Sequence, residues 1–278
     1  MPEMPELEII RRSLEPNIKG KRIMNVQLLL KRQIKWPSPE DFIARLAGHV
    51  ITGLDRRGKY LLLQMDNNVS LVFHLRMTGQ ACYFPPGVEP VGHVRILFPL
   101  DDGGIFAYAD TRTLGTIYAM HNDELWRIKG LAELGPEPLS DDFTVAYLRS
   151  ILAGKKTRIK SFLLNQAYIA GLGNIYVDEA LFLSGIHPMR TAGSVTPEEA
   201  EKLYININKV ISDGINDGGT TFRDYRDGNG EKGSHQQNLF AYGRDGKPCR
   251  KCGTIMEKIR VGGRGTHFCP SCQQLNKG

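Results

Sequence analysis

No apolar run in these 278 residues approaches the roughly 18 positions of a membrane-spanning helix, and no apolar segment follows a basic N-terminus as in a secretion signal. The expectation is a soluble, cytoplasmic chain with no membrane partner. Cysteine is scarce as well: five in all, four of them between residues 249 and 272. So clustered a set excludes a disulfide framework spread over the chain, and without a secretion signal a disulfide pair is the weaker reading even for the cluster. A charge excess is missing from most of the length. Residues 1–222 carry 25 basic and 25 acidic side chains, whereas residues 223–278 carry eleven Lys or Arg against five Asp or Glu, so the net charge of +6 resides there. A one-sided basic region is the footprint of a polyanion binder, with nucleic acid the first candidate; a solvated tail is the plainer alternative.

The cysteines stand as Cys249-x2-Cys252-x16-Cys269-x2-Cys272, the spacing of a zinc ribbon. Each C-x2-C pair offers two thiolates from one tight turn, and two such turns close a tetrahedral structural site for one zinc ion. Cys82 stands apart and reads as an ordinary core or near-surface thiol.

Length allows two domains. Residues 5–15 read as a helix, with a short helix at Phe42–Leu46. Strand-like stretches cover 23–30, 50–54, 59–65, 69–75, 93–98 and 104–109, separated by turns at 66–68 and 101–104, so a β-meander or sandwich is expected over 1–133. Leu134-Gly135-Pro136-Glu137-Pro138-Leu139 opens a linker over 134–141. From Asp142 the period turns helical, at 143–153, 159–165, 177–184 and 197–213. The glycine-rich connection Ala167–Tyr176 joins two of these helices in the manner of a helix-turn-helix. Residues 220–238, rich in Gly, Asp, Asn and Gln, form a long loop of the kind that is more often functional than idle, closing a domain over 142–238; the zinc hairpin occupies 239–278.

The stretch Met1-Pro2-Glu3-Met4-Pro5-Glu6-Leu7-Glu8 carries candidate chemistry. Removal of Met1, which a small second residue permits, would expose the secondary amine of Pro2 with carboxylates nearby at Glu3 and Glu6. An α-amino group titrates near pH 8, is substantially neutral at physiological pH, and can attack an aldehyde-like carbon, with Glu3 placed to move protons. The same residues also read as a helix start, with Pro5 at the first helical position and acidic side chains at the positive dipole end. Lys59, after Arg56-Arg57-Gly58, is able to donate into a cleft or to be a solvated turn lysine. Lys155 and Lys156 begin a basic run at a helix start, where phosphate meets free amides. Asn174 is an N-cap candidate and a phosphate ligand second. Arg264, between glycines, suits bidentate phosphate contact. Met77, Arg112 and Leu114 follow strand-like segments and read as core or as site residues.

Taken in order, Pro2–Glu8, Arg57-Gly58-Lys59, His74-Leu75-Arg76-Met77-Thr78-Gly79, Asp110-Thr111-Arg112, Leu134–Leu139, Gly173-Asn174-Ile175-Tyr176, Tyr242-Gly243-Arg244 and the four-cysteine module around Gly263-Arg264-Gly265-Thr266 resemble the formamidopyrimidine-DNA glycosylase family from residue 2 to about residue 274. The resemblance implies an α+β multidomain fold: an N-terminal β-sandwich with flanking helices, a helix-two-turn-helix domain and a zinc-ribbon β-hairpin, with damaged double-stranded DNA in the cleft between. It implies excision of an extruded oxidised purine and strand cleavage by β,δ-elimination. By that resemblance Pro2 attacks C1′, Glu3 carries protons with Glu6 beside it, Lys59 serves the first elimination and Arg264 the second. His74, His93, Lys155 or Lys156, Asn174 and Tyr242 fall to phosphate contacts, and the 220–238 loop to closing over the extruded base. One cleft per chain needs no partner subunit, so a monomer is expected.

The family fills the void left by the flipped base with methionine, arginine and phenylalanine; this chain has Met77, Arg112 and Leu114. Leucine is still an apolar wedge, but it lacks an aromatic face worth roughly 1–3 kcal/mol per stacked base. Met4, where the family has leucine, conserves volume. Two other readings stand beside this one: an endonuclease VIII-like enzyme for oxidised pyrimidines, and a zinc-ribbon DNA-binding protein that does not cut.

Overall fold

The computed structural model describes residues 2–275 and divides into two compact units, Met1–Ala132 with Ile215–Gln236, and Glu133–Gly214 with Gln237–Gly278. Met1, on whose removal a free Pro2 amine depends, lies outside the described residues. No described helix is long and apolar enough to cross a membrane.

The first unit contains α1 (Met4–Ile18), β1 (Gln27–Leu28), β2 (Ile34–Trp36), α2 (Pro39–Leu46), β3 (Ile51–Arg57), β4 (Tyr60–Met65), β5 (Val69–His74), β6 (Gly79–Phe84), β7 (Val94–Pro99), β8 (Ile105–Asp110), β9 (Thr116–His121) and α3 (Lys129–Ala132). Alternation sets one face of each strand inward. Leu61 and Leu63 of β4 pair with Phe73 and Leu71 of β5, and all four are fully buried. The strands build a five-stranded sheet, β2-β9-β5-β4-β3, and a four-stranded sheet, β1-β7-β8-β6. Phe73 of the first sheet meets Phe98, Phe106 and Tyr108 of the second at ring distances of 6.4, 5.9 and 5.6 Å, so the expected sandwich forms around an aromatic core. Leu7, Ile10, Leu14 and Ile18, at helical spacing on α1, join that core, each burial contributing about 1.5–3 kcal/mol.

α1 runs three residues past the expected end at Glu15. Pro16 removes one bond in the last turn, and burial of Ile18 outweighs that loss. β6 and β9 were not legible as strands in Gly-Gln-Ala-Cys-Tyr-Phe and Thr-Ile-Tyr-Ala-Met-His; pairing with β8 and β5 decides them. The returning segment 215–236 takes in the end of a helix at Asn216 and then has no strand, with a 3-10 turn at His235–Gln237 at its far end. It is nonetheless tied down. Gly228 donates to Ser13 Oγ at 2.7 Å, Tyr83 donates to the Gly228 carbonyl at 2.8 Å, and Tyr225 enters the core. Gly219 and Gly233 approach so closely that a Cβ on Gly233 would lie 2.1 Å from the Gly219 carbonyl.

The second unit holds α4 (Val145–Leu152), α5 (Ile159–Leu163), α6 (Asn174–Ser184), most of α7 (Pro197–Asn216), and the antiparallel hairpin of β10 (Glu257–Val261) and β11 (Arg264–Phe268). The connection between α5 and α6 is pinned by Gln166, whose amide donates to the carbonyls of Leu164 and Leu172 and accepts from Gly171. The Leu134–Leu139 stretch lies against it, Gly135 donating to the Gln166 carbonyl and Ala170 to that of Pro136. Gly173, not Asn174, is the N-cap of α6, which frees the Asn174 side chain for another task.

Candidate active site, zinc centre and nucleic-acid interface

Pro2 is buried and followed by a reciprocal capping box. The Glu3 side chain accepts the Glu6 backbone N–H while Glu6 Oε2 accepts the Glu3 N–H at 2.8 Å. Pro5 is thus the second helical residue, one later than expected. Glu3 and Glu6 are 2% and 1% exposed, so both carboxylates are buried at the helix start that follows Pro2.

Lys59 is buried in the two-residue turn between β3 and β4, closed by pairing of Arg57 with Tyr60. Gly58 has φ +56°, as the first residue of a type II′ hairpin turn needs. Arg56 donates to Glu8 Oε2 at 3.2 Å and to the Gly58 carbonyl at 3.2 Å, joining α1 to the turn that carries Lys59. Glu8 also receives Arg11 and Arg12 at 2.9 and 2.7 Å. Burial by itself would raise its pKa, but these guanidiniums outweigh burial and hold the carboxyl at about 2.

Met77, Arg112 and Leu114 are exposed, not core, and Arg112 Nη1 lies 3.1 Å from Met77 Sδ. His74, at the end of β5, stacks edge-on against Tyr60 and accepts the Arg76 N–H at Nδ1. Burial, with the charges of Arg76 and Lys59, lowers its pKa to about 3, so at neutral pH it is an uncharged imidazole with Nε2–H as its donor. His93 is exposed at the edge of β7.

In the second unit the sulfurs of Cys249, Cys252, Cys269 and Cys272 all lie within 4.8 Å of one another, with pairs at 3.4, 3.6 and 3.9 Å. Zinc–sulfur bonds of about 2.3 Å give a tetrahedron with edges near 3.8 Å, so the four cysteines fit one structural zinc. Between them the hairpin turns on Gly262 and Gly263, both at positive φ, and presents Arg264 to solvent. The carbonyl of Gly265 accepts Asn174 Nδ2 at 3.0 Å and Lys160 Nζ at 3.0 Å, so α5 and α6 fix the backbone beside Arg264. Lys155 lies over the Tyr168 ring, whereas Lys156 is exposed. Tyr242 packs edge-on against His267.

Sequence reasoning missed the buried charges behind this hairpin. Lys160 and Asp178, both fully buried, pair at 2.6 Å, and Asp178 Oδ2 accepts the His267 N–H. Glu179 accepts the N–H groups of Phe240, Ala241 and Tyr242 at 2.8 Å each, which sets the Tyr242 backbone. Burial pushes its carboxyl above the usual range, against the pull of those amides. Adjacent acids in an otherwise apolar helix, Val177-Asp178-Glu179-Ala180-Leu181, were the available signal. Pro2, Glu3, Glu6, Lys59 and the Met77, Arg112 and Leu114 group belong to one unit, and Asn174, Tyr242, Arg264 and the cysteines to the other.

The sequence matches family profiles described as the formamidopyrimidine-DNA glycosylase N-terminal domain over residues 1–117, the H2TH domain of the same enzymes over 134–226, and the zinc finger found in FPG and IleRS over 246–275. It is 48% identical over 278 residues to the formamidopyrimidine-DNA glycosylase of Symbiobacterium thermophilum, covering 100% of this chain and 91% of that one. The corresponding protein of Heliobacterium modesticaldum is 46% identical over 278 residues, covering 99% and 100%. Among solved structures, a Lactococcus lactis FPG variant in complex with Fapy-dG-containing DNA superposes with a TM-score of 0.92 at 36% identity, covering 98% and 100% of the two chains. The wild-type Lactococcus lactis protein with DNA containing an oxidised pyrimidine gives 0.91 at 36% identity and the same coverage. With profiles matched along most of its length and full-length relatives near half identity, this chain belongs to the formamidopyrimidine-DNA glycosylase family.

Proposed function

We propose that the chain excises oxidised purines, 8-oxoguanine and formamidopyrimidines, from double-stranded DNA and cuts the strand by β,δ-elimination. The observation that carries the reading is the buried Pro2 held at the head of α1 by the Glu3 and Glu6 capping box. With Met1 removed, the Pro2 nitrogen attacks C1′ of the extruded nucleotide; the base leaves with the bonding pair and takes up a proton. Glu3 protonates the sugar ring oxygen as the ring opens, giving the iminium. Proton loss from C2′ then expels the 3′ phosphate, with Lys59 serving this step, and Arg264 assists expulsion of the 5′ phosphate. Hydrolysis returns the amine. The zinc supplies structure to the hairpin and takes no part in bond breaking.

Met77, Arg112 and Leu114 fill the void, Arg112 pairing with the orphaned cytosine. His74, His93, Lys155 or Lys156, Asn174 and Tyr242 contact phosphates, and the 220–238 loop covers the extruded base. The division of labour follows 1–133, 134–141, 142–238 and 239–278, and the protein works as a cytoplasmic monomer.

Borohydride trapping on 8-oxoguanine opposite cytosine tests the reading: a covalent adduct is expected, and none when Met1 is retained. Absence of an adduct with the processed protein rejects the Schiff-base chemistry and favours a binding protein that does not cut. Because the Lactococcus lactis relative is seen with oxidised-pyrimidine DNA, a thymine glycol duplex belongs in the same panel; clear preference for the glycol overturns the purine assignment.

A further inference from the structure

We propose that Asp110 is the positioning residue of the wedge: its buried carboxylate ties the loop bearing Met77 to the loop bearing Arg112 and Leu114 before DNA arrives. The inference rests on the assignment of those three side chains to filling the void.

Asp110 ends β8 and is fully buried. Its Oδ1 accepts the Thr78 hydroxyl at 2.5 Å and the Arg112 N–H at 3.2 Å. Its Oδ2 accepts Gln33 Nε2 at 2.9 Å, the Tyr108 hydroxyl at 3.1 Å and the Gly115 N–H at 2.9 Å. Thr78 follows Met77, and the amides of Arg112 and Gly115 bracket Leu114, so one carboxylate holds both loops. Thr78 Oγ1 also accepts the Arg112 N–H, at 3.0 Å. Arg76 and Thr113 are each at φ 55°, a conformation that non-glycine residues keep only when their surroundings hold them. Gly115 is required by the same packing, because a Cβ there would lie 2.0 Å from the Tyr108 hydroxyl.

The bases of the loops are thus tied together while the tips stay open: Met77 and Leu114 are 42% and 45% exposed. A wedge that must enter the stack as a base leaves gains from such prior ordering, since little freedom is lost on contact. Burial alone would push the Asp110 carboxyl up, but the bonds from Thr78, Gly115 and Tyr108 prevail and keep it below the usual range, so every acceptor site is available. An amide cannot replace it: whichever way Asp110→Asn is turned, its NH2 meets a backbone N–H, of Arg112 on one side or Gly115 on the other.

The milder test is Thr78→Val against Thr78→Ser, which respectively remove and keep the hydroxyl between the loops. Single-turnover excision of 8-oxoguanine opposite cytosine is compared with cleavage at a preformed abasic site, where no base has to be expelled. Thr78→Val is expected to slow excision about tenfold, the factor for one hydrogen bond to a charged acceptor, and abasic cleavage less than about twofold. Thr78→Ser should stay within about twofold of wild type on both, and Thr78→Val should speed hydrogen exchange of the Arg112 amide in the DNA-free protein. Equal losses on the two substrates, or no change in excision, overturn the proposal. Were the wild type inactive on every duplex, the functional reading would fail by itself; amide exchange then decides the tether, and unchanged exchange rejects it.

Discussion

Glu6 and Thr220, 214 residues apart in sequence, share a hydrogen bond of 2.8 Å in which the Thr220 N–H donates to Glu6 Oε1. The other oxygen of the same carboxylate accepts the Glu3 N–H at 2.8 Å. One buried side chain therefore holds both the peptide after Pro2 and the start of the 220–238 loop. Glu6→Gln preserves shape but sets an amide NH2 against one of these two donors. The expected cost is about 1–3 kcal/mol in urea unfolding, together with slower borohydride trapping. An unchanged trapping rate would show that the double contact does not serve the nucleophile.

Glu8 gives a pH prediction. Its carboxyl is held at about 2 by Arg11, Arg12 and Arg56 in spite of burial. A lowered folded-state pKa contributes stability that is full above the ordinary carboxylate range and is lost as pH falls toward 2. Wild type should exceed Glu8→Gln by up to about 3 kcal/mol at pH 7, and the gap should close between pH 4.5 and 2. Denaturant melts of both proteins across that range check the sign; a gap that widened in acid would contradict it.

Breaking the buried pair of Lys160 and Asp178 should be costly. Lys160→Met leaves an uncompensated buried carboxylate, for which about 3–5 kcal/mol is expected. It also removes one of two donors to the Gly265 carbonyl, so DNA affinity should fall along with stability. Calorimetry and fluorescence anisotropy on the same variant provide both readouts.

Zinc and Arg264 separate by their salt dependence. Metal analysis should find one zinc per chain, and chelation should weaken binding to any duplex by releasing the hairpin. Arg264→Ala should retain zinc, weaken binding uniformly across sequences, and flatten the plot of log affinity against log salt by about one. An unchanged slope would count against a phosphate contact.

Leu114→Phe restores an aromatic wedge. Stacking worth roughly 1–3 kcal/mol per base should appear as tighter binding to a duplex with an orphaned cytosine and as an altered preference for the opposite base. Equal affinities would place the energetics of the wedge on Met77 and Arg112.

The helix at residues 5–15, the turn at residues 66–68 and the zinc spacing were legible because each is a short-range pattern. The Pro2–Glu8 stretch was legible for the same reason: its capping box spans four residues. Less legible were β6 and β9, whose strand state comes from partners elsewhere in the chain, and Asn174, which reads as a cap but instead reaches the Gly265 carbonyl 91 residues away. Residue order determined the family, the zinc ligands, the helix periods and the identity of the chemical groups, since spacing within one turn or one motif suffices for these. Only tertiary structure decided that Glu6 meets Thr220, that Lys160 pairs with Asp178, and that Asp110 ties two loops. Each buries a charge that is tolerable only where distant segments bring donors to it, and no local pattern announces which segments those are.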